Sequence, residues 1–282
     1  MAVRRGQHGV LRLRFARRAG KTALTGRYSQ APFGAVRANY PDGTGAPEVQ
    51  ITNPSGGTLG GDRLELEIVL EPGSAATVLT QAANKAYRGK ESSQRAVMSV
   101  GDGAFLEYLP HHLIPFPASS CSQEAAFHLA ESATLVTWDA YAAGRIARGE
   151  RFAFDALRAM TRIRRNGLPE ATDGFDLLGG GERFGGYSYV ASAYVSAPQD
   201  LAPLAEELHN FLTRPPGTLA SASAPTSRLC AVRVMATSAG ALYGALNGFR
   251  GISRRFRTCP RRRDRCGAAG WPAVQSADGR KL

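Results

Sequence analysis

Three consecutive segments share one layout, which constrains the fold more than any other feature of the chain. RLELEIVLEPGSAATVLTQ (63–81), QRAVMSVGDGAFLEYLPH (94–111) and QEAAFHLAESATLVTWDA (123–140) each hold a run of period-2 character, a tight turn and a second such run. The turns fall at Pro72-Gly73, Asp102-Gly103 and Glu131-Ser132, so Leu70, Val100 and Leu129 correspond at spacings of 30 and 29 residues. Alternation predicts strands, and Pro-Gly or Asp-Gly between them predicts reversals of direction. A period of this size in β-structure predicts stacked layers, each unit burying its apolar face on the next. An ordinary sandwich with even hairpin spacing is the alternative.

Further runs extend the β reading: VLRLRFA (10–16), VQITN (49–53), RFAFDALRAMTRI (151–163), YSYVASAYVSA (187–197) and LCAVRVMA (229–236). Helical spacing enters late. In DLAPLAEELHNFL (200–212), Leu201, Leu204, Ala205, Leu208 and Phe211 fall on one face, with Asp200 placed as cap and Pro215-Pro216-Gly217 as stop. In SAGALYGALNGF, Ala241, Leu242, Ala245, Leu246 and Phe249 do the same, with Ser238 as cap. The predicted fold is mainly β: stacked β-layers, a β-solenoid-like scaffold, with two short helices near the C-terminus. Residues 1–253 read as one domain and 254–282 as an Arg-rich, disordered tail.

A chain of 282 residues can bury a substantial core, and 43% hydrophobic with 21% charged residues marks a globular protein. No run approaches the ~18 consecutive apolar residues of a membrane span, and the basic N-terminus lacks the apolar core of a signal peptide. The expectation is a soluble, cytoplasmic protein with no membrane partner. Cys121, Cys230, Cys259 and Cys266 form no CxxC pair, so they read as reduced thiols.

The net charge of +12 points to nucleic acid only until it is located. From Arg254 onward there are nine basic and two acidic residues, leaving the body mildly basic. The tail has one aromatic after Phe256, Trp271, and no apolar period, so it offers no stacking platform for RNA.

NPSGGTLGGDR (53–63) is the richest glycine cluster. Gly56 and Gly61 have P-loop spacing, but Asp62 stands where the phosphate-binding lysine belongs, and a strand follows where a helix should. The segment reads as a sharp, closely packed connection with Asp62-Arg63 as a local ion pair. In EYLPHHLIPFP (107–117), His111 and His112 would point to opposite faces of a regular strand, although the flanking prolines allow an irregular path. Nickel or zinc suits imidazole, and Glu107 could assist as a carboxylate ligand. No GxSxG elbow or HExxH is present. Glu107, Asp139 and Glu150 supply carboxylates for a β-rich hydrolase, a rival reading that no motif supports. A basic RNA-binding protein is a third.

Taken together, NPSGGTLGGDRLELEIVLEPGSAATVLTQAANKAYRG, LEYLPHHLIPFPAS and WDAYAAGRIARGERF resemble the urease accessory protein D family, in order, over about residues 8–253. The resemblance implies a β-solenoid-like scaffold with two helices and a non-enzymatic role. It implies binding to the urease apoenzyme subunits and to accessory proteins F and G, the latter a GTPase, in a hetero-oligomeric complex that inserts nickel. Helix 2 is implied in contact with protein F. No cofactor is tightly bound on this reading; nickel is in transit through an interior tunnel with polar and acidic lining. The motif residues Asp62, Glu107, Asp139 and Glu150, with His111 and His112, are the candidates for that path. In the repeat alignment Thr80, Pro110 and Asp139 are equivalent, so stacking in register would set Thr80 and Asp139 in one column. The segment CPRRRDRCGAAGWPAVQSADGRKL departs from the family pattern.

Overall fold

Alternating apolar side chains give each strand one face to bury, and the chain satisfies successive strands by alternating between two sheets. The computed structural model describes residues 6–256. Strand β1 (His8–Arg18) forms a hairpin with β2 (Lys21–Gln30); β3 (Gly34–Ala35) and β4 (Glu48–Thr52) then start the second sheet. The repeating part follows. Strands β5 (Arg63–Leu70), β8 (Ser92–Val100), β11 (Ser120–Leu129) and β13 (Ala156–Arg165) lie side by side and parallel in the first sheet. Strands β6 (Ala75–Thr80), β9 (Phe105–Leu109) and β12 (Thr134–Ala142) do so in the second. Short strands β7 (Asn84–Ala86) and β10 (Leu113–Pro115) pair at the corner where each coil returns.

The repeat is therefore physical. Leu70 pairs with Val100, and Val100 with Leu129, as the spacing predicts. The turns hold a different role from simple hairpins. The two runs of each unit do not pair with one another; each turn arches from one sheet to the other, and each run pairs with its counterpart one coil away. Turn residues stack as well: Gly73 N–H donates to the Asp102 carbonyl (2.8 Å), and Gly103 N–H to Ser132 Oγ (2.9 Å).

After β13 the chain becomes antiparallel. Strand β14 (Leu168–Leu178) closes one edge of the first sheet, while β15 (Tyr189–Ser196), β17 (Leu229–Ala236) and β16 (Thr218–Thr226) extend the second. Helices α1 (Ala202–Leu212) and α2 (Ala239–Ser253) cover the outer face of the second sheet. Ser238 caps α2 by accepting from Ala241 N–H (3.1 Å). Asp200 stands one residue before the α1 cap position, which Leu201 occupies, yet its carboxylate accepts from Ala202 N–H (3.1 Å). The helices approach so closely that a Cβ on Gly248 would lie 2.0 Å from the Phe211 ring, so Phe211 packs over α2 instead of entering the core.

One apolar core fills the space between the sheets, built from residues such as Leu66, Ile68, Met98, Leu106 and Phe127; another lies between the second sheet and the helices, including Val136, Trp138, Leu208 and Leu246. Burying a side chain of this size contributes about 1.5–3 kcal/mol, which makes coil stacking the main stabilising term. The body continues past Ser253: Arg254–Phe256 form a 3-10 turn, and Arg254 and Arg255 pair with Glu107 and Glu207. The tail expected from 254 thus has its first three residues folded onto the scaffold. The rest, with Cys259, Cys266 and Trp271, lies outside the described residues. Cys121 and Cys230 are buried free thiols.

Candidate functional site

The glycine cluster is a coil corner. Thr58 bridges in parallel to Ala86, so the loop stacks on β7 as β7 does on β10. A Cβ on Gly57 would meet the Lys85 carbonyl at 2.3 Å, and one on Gly60 would meet Gly89 Cα at 2.7 Å. Gly56 and Gly61 take left-handed φ values of 73° and 86°. Asp62 is buried, and its carboxylate accepts from Gln7 N–H and Leu59 N–H, both at 2.8 Å. The expected Asp62-Arg63 ion pair is therefore replaced by main-chain bonds that tie the loop to the strand before it.

Glu107 sits at the centre of β9 with its side chain wholly buried. Its register neighbour Thr77 donates to Oε2 (2.7 Å), Arg250 Nη2 donates to the same oxygen (3.2 Å), and Arg254 Nε donates to Oε1 (3.3 Å). Burial pushes this carboxyl up, but the two arginines and Thr77 together hold it below its ordinary range. Phe105 and Leu109, two residues to either side and so on the same face, pack under the helices, so Glu107 faces α2 and not the space between the sheets.

Between the sheets lies a cavity of about 190 Å³, with Gln94, Gln123, Thr137, Asp139, Thr161 and His111 in its wall. Asp139 accepts from Thr161 Oγ1 (2.8 Å), which joins the two sheets across the cavity. Its surface opens on the cavity and is enclosed by protein, so burial is the main cause pushing its carboxyl up to about 6, with Asp173 adding to it. Thr80 and Asp139 both line this space, and Leu79↔Leu109 with Thr137↔Tyr108 carry the register that sets them in one column. At the side, Tyr194 donates to Asp173, and Arg233 bonds both Asp173 and Ser192.

The histidines stand at the end of β9. His111 lines the cavity; its main-chain N–H donates to Thr80 Oγ1 (2.8 Å), and its Nδ1 lies 3.2 Å from the same oxygen. His112 is buried away from it, with Nδ1 2.8 Å from Tyr243 Oη and its main-chain N–H donating to that oxygen (3.2 Å). Burial first, and His111 second, push His112 down to about 4, so it is neutral at ordinary pH. Glu150 lies apart, gripped by Arg145 through two bonds of 2.5 and 2.6 Å.

The six sequence candidates thus occupy separate places. Only His111 and Asp139 are in the cavity wall, and among the described residues no group of three or more His, Cys, Asp or Glu side chains is placed to hold a metal ion. Glu107, Asp139 and Glu150 do not converge on a common point as a carboxylate hydrolase requires. Several arginines of the first sheet meet carboxylates, as in Arg12–Glu67, Arg14–Glu71, Arg158–Glu91 and Arg162–Glu124, which lowers the charge that face offers a phosphate backbone. Sequence reasoning missed Thr161, Tyr194, Tyr243 and Arg250, whose partners lie far away in the chain. No described helix is long and apolar enough to cross a membrane.

Stacked parallel coils, a cavity between the sheets and a helical flank define a β-solenoid-like fold. The family model described as UreD urease accessory protein matches residues 7–266, and the chain belongs to that family. It is 30% identical over 265 residues to the urease accessory protein UreD of Cenarchaeum symbiosum, covering 89% of this chain and 93% of that one. It is 36% identical over 220 residues to urease accessory protein UreD 2 of Streptomyces griseus, covering 72% and 74%. The match to UreD of Picosynechococcus is 36% over 158 residues, 55% of either chain, and that to UreD of Nostoc spans 60% of the relative, so against these the chain spans little more than half their length. The family match runs beyond Ser253, where the motifs of the resemblance end. The family is one of accessory proteins, not of enzymes.

Proposed function

We propose that this chain is a scaffold for urease maturation. It binds the urease apoenzyme subunits with accessory proteins F and G in a hetero-oligomeric complex of the cytoplasm, and it passes nickel toward the urease active site through its interior. Nickel is cargo in this reading, so no cofactor is held tightly. The observation that carries the proposal is the cavity between the sheets, whose wall holds Asp139 and His111, with Glu124 paired to Arg162, and where no group of three or more His, Cys, Asp or Glu side chains among the described residues is placed to hold a metal ion. Donors in ones and twos let a divalent ion move on, whereas a full set would trap it. Asp139 and His111 are the path residues. Asp62, Glu107, His112 and Glu150 lie outside the cavity wall, the three carboxylates engaged through both oxygens and His112 through Nδ1.

Co-expression of the urease structural genes with and without this chain, followed by assay of urease nickel, tests the reading. Nickel rises with the chain present if the proposal is right. Equal nickel in both sinks it.

A further inference from the structure

Tyr243 packs its ring against both histidines. Its ring centroid lies 5.5 Å from that of His111 and 5.7 Å from that of His112, and its hydroxyl bonds His112 twice, at Nδ1 and at the main-chain N–H. Tyr189 closes the other side of His112 edge-on at 5.4 Å. The geometry points to Tyr243 as a positioning residue that fixes where His111 presents its free ring nitrogen to the cavity. The inference rests on the reading of the cavity as a nickel path.

Hydrogen-bond bookkeeping gives the orientation. Thr80 Oγ1 has one proton and donates it to the Ala82 carbonyl (3.3 Å); it accepts the His111 main-chain N–H, so its remaining lone pair takes a proton from His111 Nδ1. The Nε2 lone pair of His111 is then left free as a ligand. A ring held on one side only would rotate and lose that aim; the Tyr243 hydroxyl is the second support, acting through the main chain of the adjoining His112. Its own place is set by α2, where Arg250, seven residues on, grips Glu107 together with Arg254 of the 3-10 turn that follows. Glu107, His112 and His111 all belong to β9 or the turn that leaves it, so the helix holds this segment at both ends. A ligand's outer partner is a recognised determinant of metal affinity.

The test uses the full chain carrying Tyr243→Phe, which keeps the ring and deletes the hydroxyl. In protein labelled at its five histidines, the ring nitrogen signals of His112 and His111 are both expected to move. Co-expressed with the urease genes at wild-type abundance, the variant is expected to lower urease nickel about tenfold, the lower end of what loss of an outer partner costs. Thr80→Val frees His111 from the other side; it is expected to move His111 signals alone and to lower nickel as well, which keeps the test open if Tyr243→Phe fails to fold. Unmoved His111 signals in Tyr243→Phe, or, where that variant does not fold, in Thr80→Val, overturn the inference. So does unchanged nickel in a system where the wild-type chain raises it. If the wild-type chain itself raises no urease nickel, the proposed function fails, and the positioning role is decided by the ring signals alone.

Discussion

Glu107 Oε2 and Arg250 Nη2 stand 3.2 Å apart across 143 residues of chain, joining the buried centre of the second sheet to the last turns of α2. Arg250 also reaches Glu48 (3.6 Å). Removal of one partner from a buried pair leaves an uncompensated charge, which costs about 3–5 kcal/mol when both groups are buried. Arg250 and Arg254 are partly exposed, so Glu107→Ala is expected at the low end, about 3 kcal/mol, in denaturant unfolding. Glu107→Gln, which keeps the Thr77 bond, is expected to cost less.

The same carboxyl gives a pH dependence. Its pKa is depressed in the folded state relative to the ordinary value of 4.5, so its contribution is fully present above that value and is lost as pH falls through the folded pKa. Acid titration of stability is expected to show a loss below about pH 4.5 in the wild type that is shallower in Glu107→Gln. Parallel acid curves for the two proteins would contradict the arrangement.

Gly60→Ala tests the stacked corner. The new methyl would strike Gly89 Cα at 2.7 Å and the Arg88 carbonyl at 2.9 Å, both main chain and neither able to swing away. Overpacking of this kind costs about 1–3 kcal/mol. Gly73→Ala provides the contrast: nothing lies within 4 Å, and the penalty comes only from its φ of 68°. Thermal unfolding should therefore rank Gly60→Ala below Gly73→Ala.

Asp62→Ala orphans the N–H groups of Gln7 and Leu59. An unsatisfied buried donor costs about 1–3 kcal/mol, so a loss in that range is expected in chemical unfolding. Hydrogen exchange should quicken at those two amides, while Asp62, which is outside the cavity wall, should leave nickel transfer intact once chain levels are matched.

The coils were legible because apolar residues recur at the spacing that stacking needs. Leu70, Val100 and Leu129 can be aligned by their turns alone, and they are partners in the sheet. The turns could not reveal whether a strand pairs with its chain neighbour or with the next coil, since Pro72-Gly73 suits a hairpin and an arch equally. Strands β2, β14 and β16 escaped the reading for a different reason. Each is at the end of a sheet, and LPEATDGFDLL and TLASASAPT carry Pro, Gly, Asp or small residues that bury little. Their pairing partner holds them, not their own pattern.

The site was legible in part. Of the six motif candidates Asp139 and His111 line the cavity, and the repeat set Thr80 in the Asp139 column, because period-2 alternation decides which residues share a face. It could not decide which face was which. Glu107 shares a face with Phe105 and Leu109, and only the packing of α2 over that face sets it toward Arg250 and not toward the interior. Pairs such as Thr161–Asp139 and Tyr243–His112 join segments that no local pattern connects.

The central claim is that nickel passes through the cavity by way of Asp139. The most direct measurement is nickel per urease active site after co-expression with Asp139→Ala or with the wild-type chain, at matched abundance of soluble chain. The account predicts a clear fall in nickel and in urease activity together. Wild-type nickel content with Asp139→Ala would contradict it.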